Sequence, residues 1–287
     1  MKKILVTGGN GQLGMSLKQK IKEKPPVDCS FVFTDVQELD IMDEIFVKTY
    51  FSSNKFDYII NCAAYTAVDK AESDRETAKQ LNAEAVKYLA RASASQNAAF
   101  VHISTDYVFP GEEPSPRKET DSVAPLGVYG ETKLQGEKYA QEYNSKVYII
   151  RTAWLYSPFG NNFVKTMLRL FNEKEEINVI NDQLGSPTNA LDLAEAILTI
   201  IQNDIGAYGI YHYSNEGECS WYQFAEDIKK LSKSGIKINP VPTSEYPTPA
   251  RRPKYSLLDK TKIKTTFGIS IPDWKESLER IFPDFPH

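Results

Sequence analysis

A tyrosine and a lysine four residues apart, Tyr129 and Lys133, have residue types and a spacing that suggest chemistry. In a helix, residues four apart lie on one face. A phenol can donate a proton to the alkoxide that hydride transfer forms on a ketone, and a nearby ammonium favours phenolate, which lowers the tyrosine pKa. Thr105, which lies 24 residues before Tyr129, adds a hydroxyl that can hydrogen-bond the developing negative charge. Together the three residues predict the catalytic group of a carbonyl reductase.

A second candidate site is the glycine-rich segment at the start of the chain. Gly8, Gly11 and Gly14 follow an apolar run and open a helical pattern. Such glycines allow a tight turn, a close approach of backbone amides to a pyrophosphate, and close helix–strand packing. Asp35 follows 21 residues beyond Gly14, where a carboxylate can accept hydrogen bonds from adenosine ribose hydroxyls. This arrangement predicts a dinucleotide site.

The first half of the chain alternates short apolar runs with longer helical patterns. The predicted strands are residues 3–7, 30–35, 58–63, 99–104 and 147–152, and the predicted helices are residues 14–24, 43–52, 75–96 and 129–144. Strands that are apolar on both faces and separated by helices predict a parallel sheet covered on both sides. The expected fold is therefore a Rossmann-type doubly wound α/β fold, with ligands at the carboxyl ends of the strands.

The second half has a different character. Helical patterns at residues 163–174, 189–202 and 221–232 are followed by a proline-rich loop at 240–253. We expect a smaller C-terminal substrate-binding lobe over the carboxyl edge of the sheet. The predicted division is a dinucleotide-binding domain at 1–154 and a mainly substrate-binding lobe at 155–287, with some segments of the lobe returning to the first domain.

Composition excludes several classes of function. With 34 basic and 38 acidic residues, the formal charge is 34 − 38 = −4, which argues against bulk nucleic-acid binding. The three cysteines are far apart, and His102, His212 and His287 show no metal-ligand spacing, so neither disulfides nor a metal site are predicted. No run is long enough for a signal sequence or a membrane span. These features predict a cytoplasmic protein without nucleic-acid or membrane partners.

The G-x-x-G-x-x-G spacing resembles that of extended short-chain dehydrogenases/reductases. The segment Asn61 to Ala64 is similar to the family's segment beside the cofactor riboses, and Asn82 is similar to the helix asparagine that supports the active site. The resemblance implies a cofactor-binding set of Gly8, Gly11, Gln12, Leu13, Gly14, Asp35, Ala63, Ala64, Tyr65, Asn82, Tyr129 and Lys133.

Longer motifs resemble the dTDP-4-dehydrorhamnose reductase family across essentially the whole chain. They are residues 104–111, 129–137, 161–163, 179–188 and 246–259. The resemblance implies hydride transfer from NAD(P)H to C4 of dTDP-6-deoxy-L-lyxo-4-hexulose, the last step of dTDP-L-rhamnose synthesis. The substrate-binding set that it implies is Thr105, Asp106, Trp154, Asn162, Arg251 and Arg252. Two adjacent guanidiniums repel each other, and a diphosphate relieves that repulsion through bidentate hydrogen bonds.

Other members of the wider family suggest alternatives. A nucleotide-sugar dehydratase carries Asp-Glu after the threonine, whereas Asp106 is followed here by Tyr107, which argues against dehydration. A nucleotide-sugar epimerase or another reductase stays open, because a fold alone does not decide between them. So does a dinucleotide-binding regulatory subunit resembling the beta subunit of methionine adenosyltransferase, although Thr105, Tyr129 and Lys133 favour an enzyme.

The cofactor and the assembly are the least determined features. Asp35 repels the 2′-phosphate of NADP and favours NAD, but family members use either cofactor, so NADPH and NADH both stay open. Some relatives form metal-bridged dimers through acidic residues early in the first helix. This chain has no acidic residue there before Glu23, so a divalent metal is possible but not supported by the sequence. A monomer and a homodimer are both compatible with these residues.

Overall fold

The computed structural model describes residues 1–285, so the prediction for His287 lies outside the described residues. The strands are β1 (Lys2–Thr7), β2 (Cys29–Thr34), β3 (Tyr58–Asn61), β4 (Ala99–Thr105), β5 (Val147–Thr152), β6 (Leu155–Tyr156), β7 (Glu176–Ile180), β8 (Leu184–Gly185), β9 (Thr188–Asn189), β10 (Gly209–His212), β11 (Cys219–Ser220), β12 (Lys237–Val241) and β13 (Tyr255–Ser256). The α-helices are α1 (Gln12–Glu23), α2 (Glu44–Ser53), α3 (Val68–Ala71), α4 (Arg75–Lys79), α5 (Ala85–Ser95), α6 (Val128–Tyr143), α7 (Phe163–Glu173), α8 (Ala190–Asn203), α9 (Trp221–Ser232), α10 (Thr261–Phe267) and α11 (Trp274–Ile281). Short 3₁₀ turns occur at Asp106–Val108, Thr243–Glu245 and Phe282–Asp284.

A six-stranded sheet forms the centre of the molecule, in the order β10-β5-β4-β3-β1-β2. Every pairing in it is parallel. The chain runs from β1 outward to β2 and then returns to the other side of β1 as β3. The strand order therefore reverses between β1 and β3, and ligands of doubly wound sheets bind at the carboxyl ends of the strands at such a point.

Helices cover both faces of this sheet, as the continuous apolar strands require. One face packs against α1 and α8 through side chains such as Leu17 and Leu193. The other face packs against α2, α5 and α6 through side chains such as Val47, Leu89 and Ala140. The predicted Rossmann-type doubly wound α/β fold is confirmed.

Two details differ from the elements predicted from sequence. The sixth strand, β10, comes from the second half of the chain and pairs with β5, which adds residues 209–212 to the central sheet. The helix predicted over 75–96 is interrupted by a π-helical turn at Gln80–Glu84, between α4 and α5. Such turns are frequent at functional sites, and this one contains Asn82.

Helix α10 packs on β10 and α8, and most of the other elements pack beside the carboxyl edge of the sheet. Helices α7, α9 and α11 bury a cluster that includes Tyr156, Phe224 and Trp274. Strands β12 and β7 form a parallel pair, and β11-β8-β13 form a small mixed sheet. The domain boundary between 154 and 155 stays a prediction. Over residues 1–285, every helix is too short or too polar to span a membrane.

Candidate active site

A cleft of about 890 Å³ lies between the carboxyl ends of the central strands and the α7–α9 region. The predicted residues that line it are Gly8, Gly11, Gln12, Leu13, Asp35, Ala63, Ala64, Thr105, Asp106, Tyr129, Lys133, Trp154 and Asn162. Gly14, Tyr65, Asn82, Arg251 and Arg252 are not part of the lining. This volume is near the upper end of the range of about 300–1,000 Å³ that small-molecule sites span.

Helix α6 carries Tyr129 and Lys133 on the face directed at the cleft. The helix begins where the backbone amide of Val128 donates to a carboxylate oxygen of Glu72, at 2.9 Å. Lys133 is 2% exposed, and its Nζ donates to the carbonyl oxygen of Ile103 in β4, at 2.6 Å. This bond ties the helix to the strand that carries Thr105, so the three predicted catalytic residues are brought together.

The pKa of Tyr129 differs from the expectation drawn from Lys133. Burial raises the pKa of Tyr129 to about 12, the Thr105 hydroxyl counteracts this rise, and the Asp106 carboxylate adds to it. Burial also lowers the pKa of Lys133 to about 8, against the opposing effect of Glu137. The predicted lowering of the tyrosine pKa was wrong, because desolvation of the partly buried phenol has the largest effect on its pKa and raises it. A raised pKa keeps the phenol protonated at neutral pH, which is the form that a proton donor needs.

The tip of β4 presents polar side chains to the cleft. The Thr105 hydroxyl donates to Asp106 Oδ1 at 3.0 Å and accepts from the Tyr107 amide at 3.2 Å. Asp106 is 3% exposed, and its Oδ2 has no hydrogen-bond partner among the described residues. Burial raises the pKa of Asp106 to about 6, against the opposing effect of the nearby Ser256 and Thr105 hydroxyls. A buried acceptor without a protein partner in a cleft is suited to a ligand hydroxyl.

Behind this tip lies a fully buried ionic bridge. Glu137, two turns after Tyr129 on α6, accepts from the Ser104 hydroxyl at 2.5 Å. It also accepts from Arg151 of β5, from Nε at 2.9 Å and from Nη2 at 2.6 Å. The bridge therefore joins β4, β5 and α6 directly beneath the residues that face the cleft.

The glycine loop after β1 has the shape of a pyrophosphate cradle. Gly8 has φ +66°, and a Cβ there would lie 2.7 Å from the Ala63 amide nitrogen. A Cβ on Gly14 would lie 2.4 Å from the Gly8 carbonyl oxygen. Helix α1 follows with no side-chain cap and no acidic residue in its first turn, so its amides are free to bind an anion. These residues fit a dinucleotide.

Asp35 directly follows β2 at the edge of the cleft. Its Oδ2 accepts from the Asn10 amide at 3.0 Å, and its Oδ1 accepts from the Val36 amide at 2.9 Å. The carboxylate is thus fixed at the glycine loop. The Nζ of Lys18 bonds Asn10 Oδ1 at 3.2 Å, which places one cation close to this acidic residue.

Two residues of the predicted cofactor set, Asn82 and Tyr65, do not line the cleft but contact segments that do. Asn82, which is 1% exposed, accepts from the Tyr65 amide at 2.8 Å and donates to the Tyr65 carbonyl at 3.1 Å. It also donates to the Thr132 hydroxyl on α6, at 3.2 Å. Asn82 therefore positions the segment after Ala63 and Ala64 against α6. The phenol of Tyr65 donates to Asp74.

Trp154 and Asn162 both line the far wall of the cleft. The ring of Trp154 stacks on Trp221, with centroids 3.5 Å apart and planes at 11°. Asn162 caps α7 by accepting from the Lys165 amide, and its amide group donates to Gln12 Oε1 at 3.0 Å. Asn162 therefore ties the two walls of the cleft together. Among residues 1–285, no cluster of three acidic, cysteine or histidine side chains could hold a metal ion.

The arginine pair lies outside the cleft lining, and its two members differ. Arg251 is exposed. Arg252 is partly buried and donates from Nη2 to Asp69 Oδ2 at 2.6 Å. It is also close enough to the Tyr107 phenol to affect its pKa. Tyr107 in turn packs edge-on against Tyr129, with centroids 5.4 Å apart, so Arg252 is two side chains away from the predicted proton donor.

The chain matches known proteins over nearly its whole length. The model of the RmlD substrate binding domain matches residues 1–286. The chain belongs to the RmlD substrate binding domain family. Its relatives in this family include the dTDP-4-dehydrorhamnose reductase of Escherichia coli K12, which is 44% identical over 97% of this chain and 96% of that protein.

Solved structures of RmlD relatives have the same fold. A dTDP-4-dehydrorhamnose reductase ortholog from Clostridium acetobutylicum is 46% identical, with a TM-score of 0.93 over 98% of both chains. The dTDP-4-dehydrorhamnose reductase from Bacillus anthracis, solved in complex with NADP, is 41% identical, with a TM-score of 0.93 over 99% of both chains.

Sequence reasoning missed several residues of this RmlD site. Trp221 forms part of the cleft wall, Asp69 holds an arginine from a distant part of the chain, and Glu137 holds Arg151 of the next strand. Glu137 lies within residues 129–137, one of the motifs that carried the family resemblance, so the sequence did mark this position. Asp69 and Trp221 have no local pattern that marks them, because their partners are set by tertiary packing.

Proposed function

We propose that this protein is a dTDP-4-dehydrorhamnose reductase, which reduces the C4 ketone of dTDP-6-deoxy-L-lyxo-4-hexulose to form dTDP-L-rhamnose. The observation that carries the proposal is the meeting of Thr105, Tyr129 and Lys133 in one cleft with a dinucleotide cradle. Relatives that bear this name cover the chain from end to end. The roles given below to individual site residues are proposed as well.

The cradle binds the dinucleotide along one wall of the cleft. Gly8, Gly14 and the amino end of α1 hold the pyrophosphate, and Asp35 accepts from the adenosine ribose. Lys133 holds the nicotinamide ribose. When bound, the reduced dinucleotide supplies the hydride. We propose either NADH or NADPH as the hydride donor. Asp35 disfavours the 2′-phosphate of NADPH, whereas the Bacillus anthracis relative was solved with NADP.

The chain supplies the proton and the orientation of the sugar. Tyr129 donates its phenolic proton to the C4 oxygen, and the Thr105 hydroxyl stabilises the negative charge that develops there. The free Oδ2 of Asp106 accepts from a sugar hydroxyl. Trp154, held by its stack on Trp221, provides an apolar wall for a sugar or a thymine ring.

The diphosphate lies on the side of Arg251 and Arg252, whose guanidiniums suit its two charged groups. We also propose, from the sequence alone, that the protein is cytoplasmic and is a monomer or a homodimer. Neither affects the chemistry at Tyr129.

Replacement of the proposed proton donor tests the function. Tyr129→Phe keeps the ring packing and removes the hydroxyl, so turnover of the 4-keto sugar nucleotide should fall by about 10²–10⁴-fold. Dinucleotide affinity, measured by titration, should stay within about twofold because the cradle and Lys133 remain. Tyr143→Phe, at the end of the same helix, is the matched control and should turn over like wild type.

Two results would overturn the proposal. One is a Tyr129→Phe variant that reduces the keto sugar at nearly the wild-type rate. The other is wild-type protein that binds the dinucleotide but oxidises neither NADH nor NADPH when given this substrate. The second result would favour the regulatory-subunit alternative.

A further inference from the structure

The loop that carries Arg251 and Arg252 runs from the C-terminal half of the chain toward β4, the strand that carries Thr105. We call residues 246–253 the arginine strap. Pro247, Pro249 and Pro253 restrict its backbone, and Ala250 in its middle is only 2% exposed. The strap is therefore restricted in conformation around Ala250, although it forms no helix or strand.

One carboxylate from the other lobe holds the middle of the strap. Asp69, in the short helix α3 after β3, accepts from the Ala250 amide through Oδ1 at 3.2 Å. Through Oδ2 it accepts from Arg252 Nη2 at 2.6 Å. Burial opposes ionisation of Asp69, yet Arg252 and the Ala250 amide lower its pKa overall. Asp69 is thus a charged acceptor with both oxygens engaged by the strap.

The far end of the strap has a second anchor beside β4. Gly111 has φ +63°, and a Cβ there would lie 2.1 Å from Cβ of Pro253. The Tyr255 amide donates to the Gly111 carbonyl at 3.0 Å. The strap is therefore held at two places, and the guanidinium of Arg252 is directed toward Tyr107 between them.

We propose that Asp69 is a positioning residue that fixes the arginine strap so that Arg252 presents its guanidinium to the diphosphate of the sugar nucleotide. The proposal rests on the proposed function. The two bonds from Asp69 fix the orientation of Arg252 before the ligand arrives, which reduces the entropy lost on binding. A guanidinium has five N–H donors, so Arg252 can keep its bond to Asp69 and still donate to a phosphate.

The test measures binding of dTDP alone, by calorimetric titration. Asp69→Asn removes the charge but leaves an oxygen that can accept from Ala250, and we expect the dTDP Kd to rise about three- to tenfold. Asp69→Ala removes both bonds and should weaken dTDP binding further. Glu76→Gln, an exposed carboxylate on the neighbouring helix α4, is the matched control and should bind dTDP like wild type.

Turnover separates positioning from a general loss of structure. In Asp69→Asn, KM for the 4-keto sugar nucleotide should rise by the same factor as Kd, with kcat within about twofold of wild type, because Thr105, Tyr129 and Lys133 are untouched. An equal loss in kcat would show that the effect reaches the catalytic group and would overturn the assignment.

Limited proteolysis tests the strap without any turnover. Trypsin can cleave the Arg251–Arg252 bond, and we expect cleavage to be faster in Asp69→Asn than in wild type or Glu76→Gln. A lower dTDP Kd in Asp69→Asn would mean that Asp69 competes with the ligand for Arg252, and would overturn the proposal. Unchanged cleavage together with unchanged Kd would also overturn it. Inactivity of the wild-type protein would refute the proposed function, whereas the cleavage rates would still report on Asp69.

Discussion

Two carboxylate–guanidinium pairs with the same N–O distance of 2.6 Å lie in very different surroundings. The side chains of Arg151 and Glu137 are 3% and 2% exposed, and a third group, Ser104, completes the set. The side chains of Arg252 and Asp69 are 20% and 41% exposed, at the rim of the cleft. The same distance thus occurs once in the core, beneath the proposed catalytic residues, and once where solvent reaches both partners.

The difference between the pairs corresponds to what each part of the site has to do. A buried pair is expensive to break, since loss of one partner leaves an unpaired charge in the core. It suits the floor of the site, where β4, β5 and α6 must keep their spacing. An exposed pair contributes little to stability, and its guanidinium keeps N–H donors that a second acceptor can reach. It suits a rim that meets a charged ligand.

The largest expected effect is on the buried pair. Glu137→Ala leaves the Arg151 charge buried without a partner and should lower the free energy of unfolding by about 3–5 kcal/mol, measured by urea denaturation. Glu142→Ala, which removes an exposed carboxylate from the same helix, is the matched control and should change it by less than about 0.5 kcal/mol. A loss below about 1 kcal/mol in Glu137→Ala would mean that the buried pair stabilises the protein no more than the exposed pair does.

A smaller effect is expected at Asp106, which lies between the two pairs. Its pKa is raised from 3.8 to about 6 by burial, so the neutral carboxyl is favoured in the folded protein. The contribution is fully present below the unfolded pKa and is lost as the pH rises through 6. At about 1.4 kcal/mol for each pKa unit, the whole shift corresponds to about 3 kcal/mol, and the wild type should lose about 2–2.5 kcal/mol relative to Asp106→Asn between pH 4 and pH 7, because the unfolded carboxyl is already partly ionised at pH 4.

Denaturation of both proteins at several pH values measures this difference. Other carboxylates, such as Asp69 and Glu216, have lowered pKa values and act in the opposite direction, so only the difference between the two proteins isolates Asp106. Parallel pH profiles for wild type and Asp106→Asn would show that the carboxyl is solvated in the folded protein.

The contrast between the two pairs also explains what could be predicted from the sequence. Tyr129, Lys133 and Thr105 could be found because the first two share one turn of a helix and the third ends a strand with an apolar pattern. The parallel sheet was predictable for the same reason, since five of its strands are continuous apolar runs. In each of these cases the evidence lies within a few neighbouring residues.

The parts that could not be predicted depend on distant partners. Asp69 and Arg252 are 183 residues apart, and no local pattern relates them. Strand β10 has only four residues, and its place beside β5 follows from the packing of the second half. The pKa of Tyr129 was predicted in the wrong direction because desolvation depends on how completely other elements bury the ring. Local spacing identifies a reacting group, but packing decides its surroundings.

The smallest expected effect on stability is at the rim. Arg252→Ala removes the guanidinium from Asp69, and because solvent reaches both groups the free energy of unfolding should fall by less than about 1 kcal/mol. Arg169→Ala, which breaks the exposed pair with Glu173, provides the baseline for a surface ion pair, and the two variants should denature at similar urea concentrations. If Arg252→Ala instead loses about as much stability as Glu137→Ala, the rim is part of the rigid framework. The arginine strap would then be a structural element, and weaker dTDP binding in the Asp69 variants would have to be attributed to a general loosening of the site.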